Sequence, residues 1–177
     1  MAKPLSFYRM TSVIRITPDI RRGVFWVDGT NALPSAPKTP EKGVQKFNWE
    51  EKLIFALSPE EALQLAECAD RILRTHQGKV DFFHDPKKGG REGEVKTLTL
   101  SYEKTDKGER VFFQITQGQK RVSLALTRAD LFAISSLIPH AVSCMWDWIG
   151  TLPPHEEVEA TTDQNTSLEE LEEDIPF

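Results

Sequence analysis

The histidines of this chain (His76, His84, His140 and His155) are scattered, and no pair of them has the spacing of a metal site or a catalytic dyad. His84-Asp85 is a tempting pair, but neighbours on a strand point to opposite faces, so it reads as a turn or packing element. No phosphate loop, dinucleotide fingerprint or zinc spacing is present, and neither a catalytic set, a cofactor nor a metal is expected. Aromatic rings interleaved with cations are more informative. Rings offer π surfaces on which any base can stack, and nearby cations can follow a phosphate backbone. Tyr8, Phe25, Trp26, Phe47, Trp49 and Phe83 are the candidate rings, and Arg9, Arg15, Lys52 and Lys96 the candidate cations. Phe82-Phe83 and Phe112-Phe113 each send one ring to either side of a strand, so one ring of each pair must face a second layer, a neighbouring subunit or a ligand.

Charge is segregated along the chain. Residues 155–177 hold nine acids and no Lys or Arg, whereas residues 1–154 carry a net charge of +4. A mildly basic body suits a polyanionic partner. The acidic, polar segment 155–177 is too poor in apolar residues to fold and reads as a disordered tail. It closes on Asp174-Ile175-Pro176-Phe177, where a terminal ring could fill an apolar pocket while the acids steer the approach. The expected division is a domain over 1–154 and a tail over 155–177. No apolar run is long enough for a membrane span, and no signal core is visible. Cys68 and Cys144 read as buried thiols in a reducing cytoplasm.

The elements that must position these residues repeat one junction. Phe55-Ala56-Leu57-Ser58-Pro59-Glu60-Glu61 and Leu124-Ala125-Leu126-Thr127-Arg128-Ala129-Asp130 both run from an apolar strand into a hydroxyl residue with an acid three positions later. That is a capping box, the signature of a helix start. The expectation is two units of four strands and a helix, an old duplication inside one α+β domain. Alternation predicts strands over Phe7–Thr17, Gly23–Asp28, Val44–Trp49 and Lys52–Leu57, with a turn at Asp28-Gly29 and a mobile cationic loop over Asn31–Gly43. The second unit reads as strands over Val80–His84, Glu94–Glu103, Glu109–Gln117 and Lys120–Leu126, with a flexible basic loop at Lys87–Arg91. A helix over Pro59–Thr75 shows one apolar stripe. A second helix, from Arg128 to about Ile149, is apolar nearly all round and implies an oligomer built on it, with Pro139 expected to kink or interrupt it.

Two resemblances sharpen this. The acidic run ending in Ile-Pro-Phe is similar to the tip of bacterial single-stranded-DNA-binding proteins, which implies docking to replication, recombination and repair enzymes. Phe47-Asn48-Trp49-Glu50-Glu51-Lys52, Phe55-Ala56-Leu57-Ser58, Phe82-Phe83-His84-Asp85-Pro86, Glu92-Gly93-Glu94-Val95-Lys96, Phe112-Phe113 and Leu137-Ile138-Pro139-His140 resemble the Whirly proteins of plant organelles, in the same order, across residues 7–148. The resemblance implies two four-stranded antiparallel sheets, each followed by a helix, a homotetramer around the helices, and single-stranded DNA lying across sheet edges. Plant members carry Lys-Gly-Lys-Ala-Ala-Leu after a tyrosine. Here Arg9-Met10-Thr11-Ser12-Val13-Ile14 follows Tyr8, so assembly beyond the tetramer is not implied. The expected function is binding and protection of single-stranded DNA with low sequence preference, in the cytoplasm of a bacterial or phage-infected cell. The rivals are a sequence-selective regulator of melted promoters, an RNA chaperone and, more remotely, an enzyme.

Overall fold

The computed structural model describes residues 3–37 and 44–148. The chain runs β1 (Leu5–Tyr8), β2 (Ser12–Asp19), β3 (Val24–Asn31), β4 (Leu53–Leu57), α1 (Pro59–Thr75), β5 (Lys79–His84), β6 (Lys96–Thr105), β7 (Gly108–Gln117), β8 (Lys120–Leu126) and α2 (Arg128–Met145). Single 3-10 turns lie at Trp49–Glu51 and Pro86–Gly89. Each unit is an antiparallel meander, β1-β2-β3-β4 and β5-β6-β7-β8, closed by its helix. This is the expected duplicated architecture.

Both helix starts carry the complete capping box. Ser58 Oγ accepts the Glu61 N–H at 3.2 Å, and the Ser58 N–H reaches the Glu61 carboxylate at 2.9 Å. Thr127 and Asp130 repeat the pair at 3.2 and 2.8 Å. α1 buries Ala62, Leu65, Ala66, Cys68, Ala69 and Ile72, spacings that keep one face toward the strands and α2. The two sheets meet through their inner faces. Phe7 sits edge-on to Phe113 at 6.3 Å, surrounded by Ile14, Ile16, Val27 and Phe55 from the first sheet and Leu98, Leu100, Ile115 and Leu124 from the second.

Four local expectations change. Phe7–Thr17 is not one strand but a hairpin, because the Arg9 N–H bonds the Ser12 carbonyl at 2.9 Å and turns the chain between β1 and β2. Asp28-Gly29 is not a turn. Both residues pair inside β3, and Gly29 is where the second sheet approaches: a Cβ there would meet Ile14 Cγ1 at 3.0 Å and Ile115 Cδ1 at 3.1 Å. Val44–Trp49 is not a ladder strand. It touches the first sheet by one bridge, Ala32 to Phe47, and the Leu33 N–H bonds the Lys46 carbonyl at 2.8 Å, so the described ends of the loop are drawn together. The basic segment after Pro86 forms a 3-10 turn that Asp85 caps through the Lys87 N–H.

The second helix also differs. It ends at Met145 in a Schellman motif, with Asp147 at φ 55° and the Trp148 N–H on the Ser143 carbonyl at 3.0 Å. It runs on through Pro139 without interruption. Only Leu131, Ile134, Ile138 and Val142 are buried, so within one chain the helix hides a stripe and leaves Phe132, Leu137 and Trp146 outside. No helix among the described residues is long and apolar enough to cross a membrane.

Candidate nucleic-acid interface

Pleating decides which side chains leave the core. In the first sheet Arg15 pairs with Asp28, Thr17 with Trp26 and Tyr8 with Val13, and these residues share the outer face. The segment after the loop lies across that face. Phe47 packs on Tyr8 at 5.9 Å and on Trp49 at 6.4 Å, and the Arg15 guanidinium sits 3.9 Å from the centre of the Trp49 ring. Lys46 lies 5.6 Å from the Phe47 ring. Arg15 also forks onto Asp28, with Nε donating at 3.0 Å, and Lys52 Nζ lies 3.6 Å from the same carboxylate. The hydrogen bond to Asp28 outweighs partial burial and pushes the Arg15 guanidinium above its ordinary value. Two cations therefore share one carboxylate beside the rings.

The outer face of the second sheet is built differently. Phe83 is 57% exposed, and Lys88 Nζ lies 6.0 Å from its ring. Next to it runs a trough of about 390 Å³ whose lining includes Lys79, Thr99, Ser101, Phe112, Gln114 and Arg121. Asp81 is tied into its floor by Lys79 at 3.0 Å and by the Thr99 hydroxyl at 2.7 Å. Burial works to raise the Asp81 carboxyl, but the bonds from Thr99 and Lys79 win and hold it below the usual carboxylate range. The trough offers hydroxyl and amide groups at the spacing of alternate strand residues, with the half-buried Phe112 ring among them. Its signal in the sequence is Thr97, Thr99 and Ser101 alternating with Leu98 and Leu100.

The candidate residues separate into three groups. Tyr8, Arg15, Trp26, Phe47, Trp49 and Lys52 come together on the outer side of the first sheet, although Phe47 is itself only 9% exposed and supports Tyr8. Phe83 stands on the second sheet. Phe25 is a correction, and Arg9 and Lys96 are engaged in contacts within the chain. Phe25 is 1% exposed, because it shares the inner face with Val27, and it cannot stack on a base. Arg9 pairs with Asp130 and donates from Nε to the Ala125 carbonyl at 2.7 Å, so it clamps the β1–β2 turn to the start of α2. Lys96 donates to the Ile54 carbonyl at 2.9 Å and joins the two sheets. Asp174, Ile175, Pro176 and Phe177 lie outside the described residues.

The histidine that invited a catalytic reading is structural. His84 stacks on Phe55 at 4.3 Å and meets the Glu61 carboxylate at 2.9 Å, so the capping acid of α1 also holds β5. Among the described residues no three of His, Cys, Asp and Glu converge on a metal-sized site.

A family model described as Whirly transcription factor matches residues 27–137. The chain is 28% identical over 116 residues to the chloroplast single-stranded DNA-binding protein WHY1 of Arabidopsis thaliana, covering 62% of this chain and 41% of that one. It is 29% identical over 115 residues to WHY3 of the same plant, covering 58% and 40%. The chain thus spans about two fifths of the length of the curated relatives it matches. Among solved structures, the plant transcriptional regulator PBF-2 superposes with a TM-score of 0.61 at 17% identity, over 84% of this chain and 92% of that one. WHY3 from Arabidopsis thaliana superposes with a TM-score of 0.57 at 20% identity, over 84% and 90%. At these identities the superpositions establish the shared fold.

Proposed function

The chain belongs to the Whirly family, and from that premise we propose that it binds single-stranded DNA by stacking and phosphate contacts, with little sequence preference. One observation carries the reading. The outer side of the first sheet holds Tyr8, 55% exposed, with Trp26 and Trp49 half-buried, and sets Arg15 and Lys52 beside them. Exposed rings beside cations are what a strand of any sequence needs. The Whirly relatives named as single-stranded DNA-binding proteins support the same reading. The test is a titration of the full chain with a mixed-sequence single strand and its duplex at two salt concentrations, following Trp fluorescence. Quenching by the single strand alone, weakened by salt, is the expected result. Equal or absent binding to both overturns it.

A second reading, sequence-selective regulation of melted promoters, is favoured by the family description as a transcription factor and by the fold shared with a plant transcriptional regulator. Affinities that differ tenfold or more among unrelated oligonucleotides would replace the first reading with this one. A preference for RNA of matched sequence would point to an RNA chaperone instead.

Two features extend the proposal. Phe132 and Leu137 on α2 and Trp146 at its C-cap are exposed apolar side chains, which supports a homotetramer assembled on its helices. The acidic segment 155–177, closing on Ile175-Pro176-Phe177, supports recruitment of replication, recombination or repair enzymes in a bacterial or phage-infected cell. Truncation at residue 154 should abolish capture of such enzymes while preserving DNA binding; retained capture would remove the tail from the proposal.

A further inference from the structure

The β2–β3 connection carries Asp19-Ile20-Arg21-Arg22-Gly23, and Gly23 takes φ 61° to close it. β1 pairs with β2 only as far as Ile16, so this end of the sheet stands free of its neighbour. Here Trp26 faces outward between two small partners, Thr17 on β2 and Ala56 on β4. Neither is large enough to cover an indole. The ring, Thr17, Ile20 and the two arginines of the tip line an open cleft of about 560 Å³. That is within the range of small-ligand sites.

The charges in the cleft are unequal. The Arg22 backbone N–H donates to Asp19 Oδ1 at 3.2 Å, and its guanidinium lies 3.7 Å from the other carboxylate oxygen. Arg22 therefore neutralises Asp19. Arg21 is exposed and makes no ion pair among the described residues. An apolar ring, room for a base and one uncommitted guanidinium stand together.

We infer that this cleft is a nucleotide subsite at the end of the first sheet, taking one base of a single strand on the Trp26 ring and its adjoining phosphate on Arg21. It rests on the single-strand reading above and adds to it a place and a charge pattern. Asp19 then works against the ligand, restrained only by Arg22.

The test uses the full chain and an end-labelled mixed-sequence oligodeoxynucleotide, followed by anisotropy across a salt series. Trp26→Leu keeps apolar volume but no π face, and should weaken binding about 5- to 150-fold, the usual value of one stacked base. Arg21→Ala should lower the slope of log affinity against log salt by about 0.7, one phosphate of a single strand. Asp19→Asn should do the opposite of a damaging change, tightening binding at low salt and matching the parent at high salt. Circular dichroism and thermal melting check that Trp26→Leu folds, and the two surface variants report independently of it. A parent that binds while all three variants match it overturns the subsite and leaves the family-level reading standing. So does a loss through Arg21 with none through Trp26, which would be a phosphate contact without a base site. A parent that binds no single strand overturns the wider reading, and the subsite with it.

Discussion

Gly29 and Asp130 each serve a contact far away in the chain. Gly29 is buried mid-strand with Ile14 Cγ1, Ile115 Cδ1 and the Val13 carbonyl 3.0–3.2 Å from where a Cβ would stand. Gly29→Ala should destabilise the domain by about 1–3 kcal/mol through overpacking, read as a lower urea midpoint with an unchanged slope. In the sequence this residue imitated a turn signal, because the reason for it, an isoleucine of the second sheet, lies 86 positions further on. Asp130 bonds the Thr127 N–H and pairs with Arg9. Burial works to raise its carboxyl, and those bonds, led by the Thr127 backbone, outweigh it and hold the group below its ordinary value. Protonation is therefore harder in the folded state. The stabilisation is present above the unfolded carboxyl pKa, about 3.9, and is lost as pH falls through the lower folded value. Asp130→Asn should be less stable than the parent at pH 6, with the gap closing below pH ~4; urea melts at both pH values check this.

At the level of elements, α1 depends on an acid with two tasks. One oxygen of Glu61 satisfies the Ser58 N–H, and the other meets His84 on β5. The helix start and the strand after it are thus fastened at one side chain. Glu61→Ala should cost about 1–2 kcal/mol, whereas Glu61→Gln, able to keep the cap, should cost less than half of that. Chemical denaturation of the three proteins side by side decides it. The capping half of this arrangement was readable from Ser58 and Glu61 alone, since the bond is local. The His84 half was not, since it requires β5 to fold back against α1.

For the molecule as a whole, α2 presents Phe132 and Leu137, 66% and 54% exposed, to the outside of a single chain. If these faces join copies, Phe132→Glu with Leu137→Glu should give a monomer in light scattering, where the parent is expected to be tetrameric. An unchanged mass would place the assembly elsewhere. The charge of the whole chain makes a separate prediction. Residues 155–177 hold nine acids against a body of +4, so they should compete with DNA at low salt. Truncation at residue 154 should tighten binding in dilute buffer and change nothing at high salt, measured by the same titration. The α2 surface was anticipated because an all-apolar helix cannot hide itself. Which of its residues face outward was not, because that depends on where the sheets and α1 dock.

The sequence by itself determined the duplicated plan, both helix starts, the strands of the second meander, and the likeness to Whirly proteins. These rest on local rules, in which a cap or a two-residue turn is written within a few positions. Only the tertiary structure decided the first two strands of the first sheet and the course of residues 44–49. Phe7–Thr17 alternates as one strand would, and the single bond from Arg9 to Ser12 folds it into two. Phe47 and Trp49 reach the outer face through a bridge and a 3-10 turn, not through a strand. Among the rings and cations, alternation says only that neighbours differ in face. Which face is the inner one depends on the second sheet, and that choice buries Phe25, exposes Tyr8 and leaves Trp26 open beside Arg21.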